Sequence, residues 1–355
     1  MLQFKQDAQI GFRFYRKDFD AGAPPDERRG RRILKNLQAL AWAILEKLTP
    51  ARRVLLLLAV ILLLLPAGGF EYHHGGQNID ITVPSFQFWG GVLLFVLLML
   101  EIADRVVMKR DLEIARDIQN WLLPAKPPTV PGLSIAFAAR PANTVAGDFY
   151  DIFARRNPTQ GEGVFLLAVA DVAGKSIPAA LLMATFQASL KTLSSTPCSL
   201  AELVDAMNRY ACGNSQGGLR FTTAFLGEYD PATRSMSYIN AGHNNPLLRR
   251  ASGALERLSI GGLPLGIRPE AAYETGVLTL GVGDWLIIFT DGLVEAQNQY
   301  AEEYGEQRLL AVLEAGASMP PDQMLQRVIA EVNRFVGTTP QHDDITCMVI
   351  KAGPL

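Results

Sequence analysis

The sequence predicts an α+β sandwich carried behind a pair of membrane-spanning helices and a helical connector. From Leu133 onward, short β-rich runs are joined by turns, and the helical stretches come in pairs rather than alternating with single strands as in a βαβ array. Two charge-free apolar runs lie close together before Glu101. Four prolines, Pro124, Pro127, Pro128 and Pro131, separate the two regimes as a stiff linker. A chain of 355 residues is long for one ordinary domain, so a core domain with an accessory region is expected.

Residues 1–52 form a basic N-terminal segment that includes Arg28, Arg29, Arg31, Arg32, Lys35 and Lys47. A helical hairpin is expected over 53–104. Its apolar runs read VLLLLAVILLLLPAGGF and FQFWGGVLLFVLLML. A spanning helix needs ~20 apolar residues, so each run borrows flanking residues, giving spans at about 54–70 and 84–102. Basic residues precede the first run, and Arg105, Lys109 and Arg110 follow the second, whereas residues 71–85 contain neither Lys nor Arg. This asymmetry places the N-terminus and everything after the hairpin in the cytoplasm, in a multi-pass protein of the cell (inner) membrane. His73 and His74 fall in the external loop, but without a third ligand they read as part of a solvated turn. A signal peptide fits worse, because the first apolar run begins only at Val54.

Residues 105–130 are the connector. Met108, Leu112, Ala115, Ile118 and Leu122 recur at steps of three and four, predicting a helix over 102–123 that stops before Pro124. Such a helix is either a spacer or a two-stranded contact that makes a homodimer and carries a signal.

Residues 131–355 are the core domain. Strands are predicted at 133–140, 164–172, 222–229, 235–241, 276–280, 285–290 and 345–351, with a DPAT turn between the third and fourth. Helices are predicted at 178–193, 200–212, 306–314 and 321–336, and Ser199 with Glu202 is a capping box for the second. The net charge of −2 argues against nucleic acid as the main partner. Cys198, Cys212 and Cys347 are scattered, with no spacing for a zinc site or a disulfide framework, so a reducing compartment fits best.

The chemistry-bearing residues are acids placed at strand ends. Asp148 opens GDFYD, Asp171 ends FLLAVAD, Asp291 ends WLIIFTD, and Asp343 with Asp344 precedes ITCMVI. Aspartate is disfavoured in strands, and an acid ending an apolar run is partly desolvated unless a cation or donor compensates. Singly, each has a bland reading: Asp291-Gly292 could be a hairpin turn, and Asp343 could cap a loop. As a set of carboxylates without His or Cys partners, they suit Mg²⁺ or Mn²⁺. Two such ions ~3.5–4 Å apart lower the pKa of a water and stabilise both attacking and leaving oxygens of a phosphate ester. Other motifs are weaker. Gly174-Lys175-Ser176 lacks the first glycine of a P-loop, since Val169 stands there, and GNSQG follows a helix where a nucleophile elbow needs a strand. His243 and His342 carry no stronger reading than local hydrogen bonding or electrostatic tuning.

In order, VAGDFYD, ADVAGKSIPAALLM, YINAGHNNPLLRR, GLPLGI, FTDGLVEAQN and HDDIT resemble the PPM (type 2C) phosphatases of the SpoIIE/RsbU-like branch, and ARDIQNWLLP resembles the helix that precedes that domain. The resemblance implies a four-layer αββα sandwich holding two or more Mn²⁺ or Mg²⁺ ions. By that resemblance Asp171 bridges two metals with the Val172 carbonyl assisting, Asp291 and Asp343 complete the second site, and Asp148 binds directly or through water. It further implies hydrolysis of phosphoserine or phosphothreonine on a partner protein, typically a STAS-domain anti-sigma factor antagonist, by direct attack of activated water. The branch usually has glycine where Ser176 stands, and Asn143 falls where other members carry a phosphate-binding arginine. The alternatives are an inactive membrane signalling module of the same fold and a metal-dependent nuclease.

Overall fold

The computed structural model describes residues 42, 45–46, 48–65, 85–157, 161–215 and 220–355, with the backbone of 72–74 and 77–79. Most of the basic N-terminal segment, the end of the first expected span and most of the expected external loop lie outside these residues, as does 216–219 of GNSQG. The chain divides into two compact units, 1–109 and 110–355.

The first unit contains α1 (Pro50–Leu64), whose proline sits in the first turn, where its missing N–H costs no hydrogen bond. The strands β1 (Tyr72–His74) and β2 (Gln77–Ile79) pair antiparallel. Helix α2 (Phe86–Leu122) begins here and merges the second apolar run and the connector into one uninterrupted element. Arg52 on α1 pairs with Asp104 on α2 at 2.7 Å. Among the described residues no helix is long and apolar enough to cross a membrane. Helix α1 has 15 residues, and Glu101 ends the charge-free stretch of α2.

The second unit is built on two antiparallel sheets. One runs β10 (Gly261–Gly262), β7 (Ser235–Ala241), β6 (Thr222–Asp230), β5 (Gly161–Val172), β4 (Phe149–Asn157), with β11 (Gly276–Thr279) also on β7 and only β10 parallel. The other runs β3 (Leu133–Arg140), β13 (Ile345–Ala352), β12 (Trp285–Phe289), β8 (Leu247–Arg249), β9 (Leu255–Arg257). Alternation along the strands sorts their side chains into layers. On β5, Leu167 and Val169 face the second sheet, whereas Leu166, Ala168 and Ala170 pack on Met183, Phe186 and Leu190 of α3 (Ser176–Ser194) and Leu203 and Met207 of α4 (Leu200–Gly213). On β12, Leu286 and Ile288 face the first sheet, and Ile287 and Phe289 pack on Leu309 of α6 (Glu306–Ala315) and Val328 of α7 (Pro321–Val336). The result is helices, sheet, sheet, helices: the four-layer αββα sandwich. Between β12 and α6 lies a short helix, α5 (Asp291–Val294).

The capping box on α4 is present, Glu202 N donating to Ser199 Oγ and the Glu202 carboxylate accepting from Ser199 N at 2.7 Å. A cap of this kind contributes about 1 kcal/mol. Strand β4 has no counterpart in the sequence-based reading. Its charged residues disguise it, and two of them pair with distant elements: Arg155 meets Glu228 on β6 at 3.3 Å, and Asp151 meets Lys191 on α3 at 2.6 Å. Helix α3 begins two residues earlier than Pro178, and Asp291-Gly292 opens α5 rather than making a hairpin turn.

Candidate active site

The acids come from both sheets. Asp148 directly precedes β4 and Asp171 is the penultimate residue of β5, in the first sheet. Asp291 follows β12 at the start of α5, and Asp343 lies in the loop entering β13, in the second sheet. Their mutual influence shows how near they are. Asp148 is buried, and its carboxyl is held well above the usual range by burial and then by Asp171. Asp171 is pushed up to about 7, first by burial and then by Asp291, Asp343 and Asp344. Asp291 is raised by burial and by Asp343. These are the shifts expected of carboxylates desolvated together without enough positive charge. The Val172 carbonyl faces the same space: a Cβ built on Gly147 would lie 3.2 Å from Val172 O and 3.9 Å from Asp171 Oδ1. Among the described residues no three His, Cys, Asp or Glu side chains are set closely enough to hold an ion as they stand. The donor chemistry nevertheless fits a hard divalent cation, because clustered oxygen donors with raised pKa values are stabilised by the charge they lack.

Several residues position the acids in ways that the sequence did not assign. Thr290, fully buried, donates from Oγ1 to Asp148 Oδ2 at 2.9 Å and accepts from Thr346 N at 2.9 Å, tying the two sheets together beneath the acids. Asp344 accepts from Ala142 N and Gly147 N, both at 2.7 Å, so it anchors the β3–β4 loop that delivers Asp148. Gly292 is required by close approach, since a Cβ there would sit 2.0 Å from Asp344 O. Gln119, near the end of α2, makes a reciprocal pair with Ala146, Nε2 donating to the carbonyl at 2.7 Å and Oε1 accepting from the amide at 2.9 Å. That contact joins the connector helix to the residue two before Asp148. Thr290 and Gly292 lie in FTDGLVEAQN, Asp344 in HDDIT and Gln119 in ARDIQNWLLP, so the motifs contain them, but nothing in their residue types along the chain assigns them these partners.

His243 is buried, and desolvation pushes it down to about 4, so it is neutral. Its Nδ1 lies 3.1 Å from Thr223 Oγ1, and its amide donates to Asn240 Oδ1 at 2.7 Å, which makes it a support for the strands behind Asp171. His342 contributes its carbonyl, which accepts from Lys175 Nζ at 2.6 Å. Arg140 contacts Asn333 and lines a cleft of ≈ 220 Å³ beside Asp343.

Ser176 has φ 63°, a left-handed conformation. A side chain there costs about 1 kcal/mol or more, partly offset by the greater chain entropy that glycine loses on folding. Ser176→Gly is therefore expected to stabilise the domain by roughly 0.5 kcal/mol, read as a rise in the denaturant midpoint. A lower midpoint would contradict the strained geometry.

The sequence profile described as Stage II sporulation protein E (SpoIIE) matches residues 161–353, more than half the chain. Protein IcfG of Synechocystis is 27% identical over 270 residues, covering 69% of this chain and 42% of IcfG. Phosphoserine phosphatase RsbU of Bacillus subtilis is 27% identical over 247 residues, covering 69% of this chain and 70% of RsbU. The chain thus spans less than half of the first relative and rather more of the second. The SiaA-PP2C domain of Pseudomonas aeruginosa shares the fold with a TM-score of 0.59 at 21% identity, over 70% of this chain and 98% of that domain. From the extent of the profile match and the αββα sandwich on which it falls, this chain belongs to the SpoIIE family, in the RsbU-like branch of the PPM (type 2C) metal-dependent protein phosphatases.

Proposed function

We propose that the chain hydrolyses phosphoserine or phosphothreonine on a partner protein. The observation that carries this reading is the approach of acids separated by nearly 200 positions: Asp148, Asp171 and Asp291 are desolvated together, with carboxyl pKa values raised by burial and by neighbouring acids, and the charge of the more exposed Asp343 acts on both Asp171 and Asp291. Asp148, Asp171, the Val172 carbonyl, Asp291 and Asp343 would hold Mn²⁺ or Mg²⁺, two or more ions. Such ions, when bound, acidify a water and neutralise charge developing on the phosphoryl oxygens. The chain's own part is preorganisation. Thr290 fixes the Asp148 carboxylate, Asp344 fixes the loop bearing it, and Gln341 donates to the carbonyls of Arg140 and Asp343 at 2.8 and 2.7 Å, setting the approach to β13. A nuclease is less well supported, since the overall charge of −2 offers no general attraction for a polyanion.

The substrate is best sought among STAS-domain anti-sigma factor antagonists, which the resemblance to the RsbU-like branch supports. Anchoring in the cell (inner) membrane through residues 53–104, with N-terminus and catalytic domain cytoplasmic, is supported by the basic flanks and by the exposed apolar side chains of both helices, among them Leu57, Leu64, Phe88 and Phe95. A homodimer through the connector is supported by Ile114, Ile118 and Trp121, which recur at i, i+4 and i+7 and are 50%, 49% and 83% exposed.

Phosphate release from a phosphoserine peptide tests the assignment. Activity is expected with Mn²⁺, to be lost on chelation, and to return when the ion is restored. Equal turnover after exhaustive metal stripping would overturn it.

A further inference from the structure

Lys175 sits between Gly174 and Ser176, both with positive φ (124° and 63°), in the loop between β5 and α3. Its ammonium lies 2.7 Å from Asp343 Oδ2 and donates to the His342 carbonyl at 2.6 Å. It lines the cleft beside Asp343 together with Glu295, and its charge acts on Glu295 and on Asp291.

The geometry points to Lys175 as an internal counter-ion: in the metal-free protein its ammonium takes the place at Asp343 that a divalent cation takes on binding, and the two compete. The inference rests on the reading that Asp343 is a metal ligand. One carboxylate oxygen cannot serve an ammonium and a divalent ion at contact distance without holding two like charges a few ångströms apart in a partly desolvated cleft. The residue type suits displacement. Lysine is a compact charge on a flexible stem rather than a planar fork locked by two bonds. Its side chain is 54% exposed, so the released ammonium regains water at small cost.

Calorimetric titration of the full chain with Mn²⁺, wild type against Lys175→Gln and Lys175→Arg, tests this. The Gln variant is expected to bind three- to tenfold more tightly, on the order of what loss of a half-exposed ion pair and of like-charge repulsion allows. The Arg variant, which keeps the charge, is expected to bind no more tightly than wild type. Thermal unfolding should show a larger Mn²⁺-induced stabilisation for Lys175→Gln, because its metal-free form has lost the counter-ion. If wild type takes up Mn²⁺ and the Gln variant binds it equally or more weakly, the counter-ion role is refuted. If wild type takes up none, the metal assignment itself fails, and this inference with it.

Discussion

Asp171→Asn is expected to lower Mn²⁺-dependent phosphate release by roughly a thousandfold or more, the equivalent of about 4 kcal/mol in the barrier. The substitution keeps the shape and the β5–β6 pairing, in which Asp171 lies opposite Thr223, so loss of activity would not reflect loss of the sheet. What it removes is a charge on which three neighbouring acids, Asp291, Asp343 and Asp344, all act. Steady-state kinetics alongside a Mn²⁺ titration separate weakened binding of the ion from a slower chemical step. Full activity in the Asn variant would refute the bridging role.

In chelator, stability is expected to fall as pH rises from about 4 to about 7. Asp171 titrates near 3.8 in an unfolded chain and is pushed up to about 7 in the fold by burial and neighbouring acids, and Asp148 is raised as well. Between those values the folded state binds more protons than the unfolded state, so the free energy of unfolding decreases with rising pH. The contribution is complete below the unfolded value and lost as pH passes through the folded one. At 1.36 kcal/mol per pH unit, the raised Asp171 and Asp148 carboxyls together shift stability by on the order of 4 kcal/mol. Thermal midpoints from pH 4.5 to 8 in EDTA, wild type against Asp171→Asn, isolate this part from other carboxylates. The Asn variant should lose less stability across the window and exceed wild type at its upper end, while Mn²⁺ should restore wild type there. Parallel profiles for the two proteins would count against a desolvated acid cluster.

The strands with the clearest patterns proved to be the central ones. The runs VFLLAVADV and WLIIFT read as strands because both of their faces are apolar, and β5 and β12 are covered on both sides, by a sheet and by helices. Strand β4 escaped because Asp151 and Arg155 look like solvent-facing charges until Lys191 and Glu228 are brought to them. The short strands β8, β9 and β10 hold only two or three residues each, too few for a period to register. At the site, the aspartates were legible because an acid ending an apolar run contradicts its local setting. Thr290, Asp344, Gln119 and Lys175 contradict nothing locally, and their roles exist only through partners 27 to 202 positions away.

By itself, then, the sequence determined the alternation of apolar and polar residues, and with it the longer apolar strands, the main helices and the four acids at strand ends, since these depend on near neighbours along the chain. Only the tertiary structure decided which acid is buried, which is raised, which is met by Lys175 and which threonine ties the sheets beneath them. Desolvation and Coulomb interaction depend on distance in space, and the sheets bring together residues whose separation along the chain says nothing about that distance.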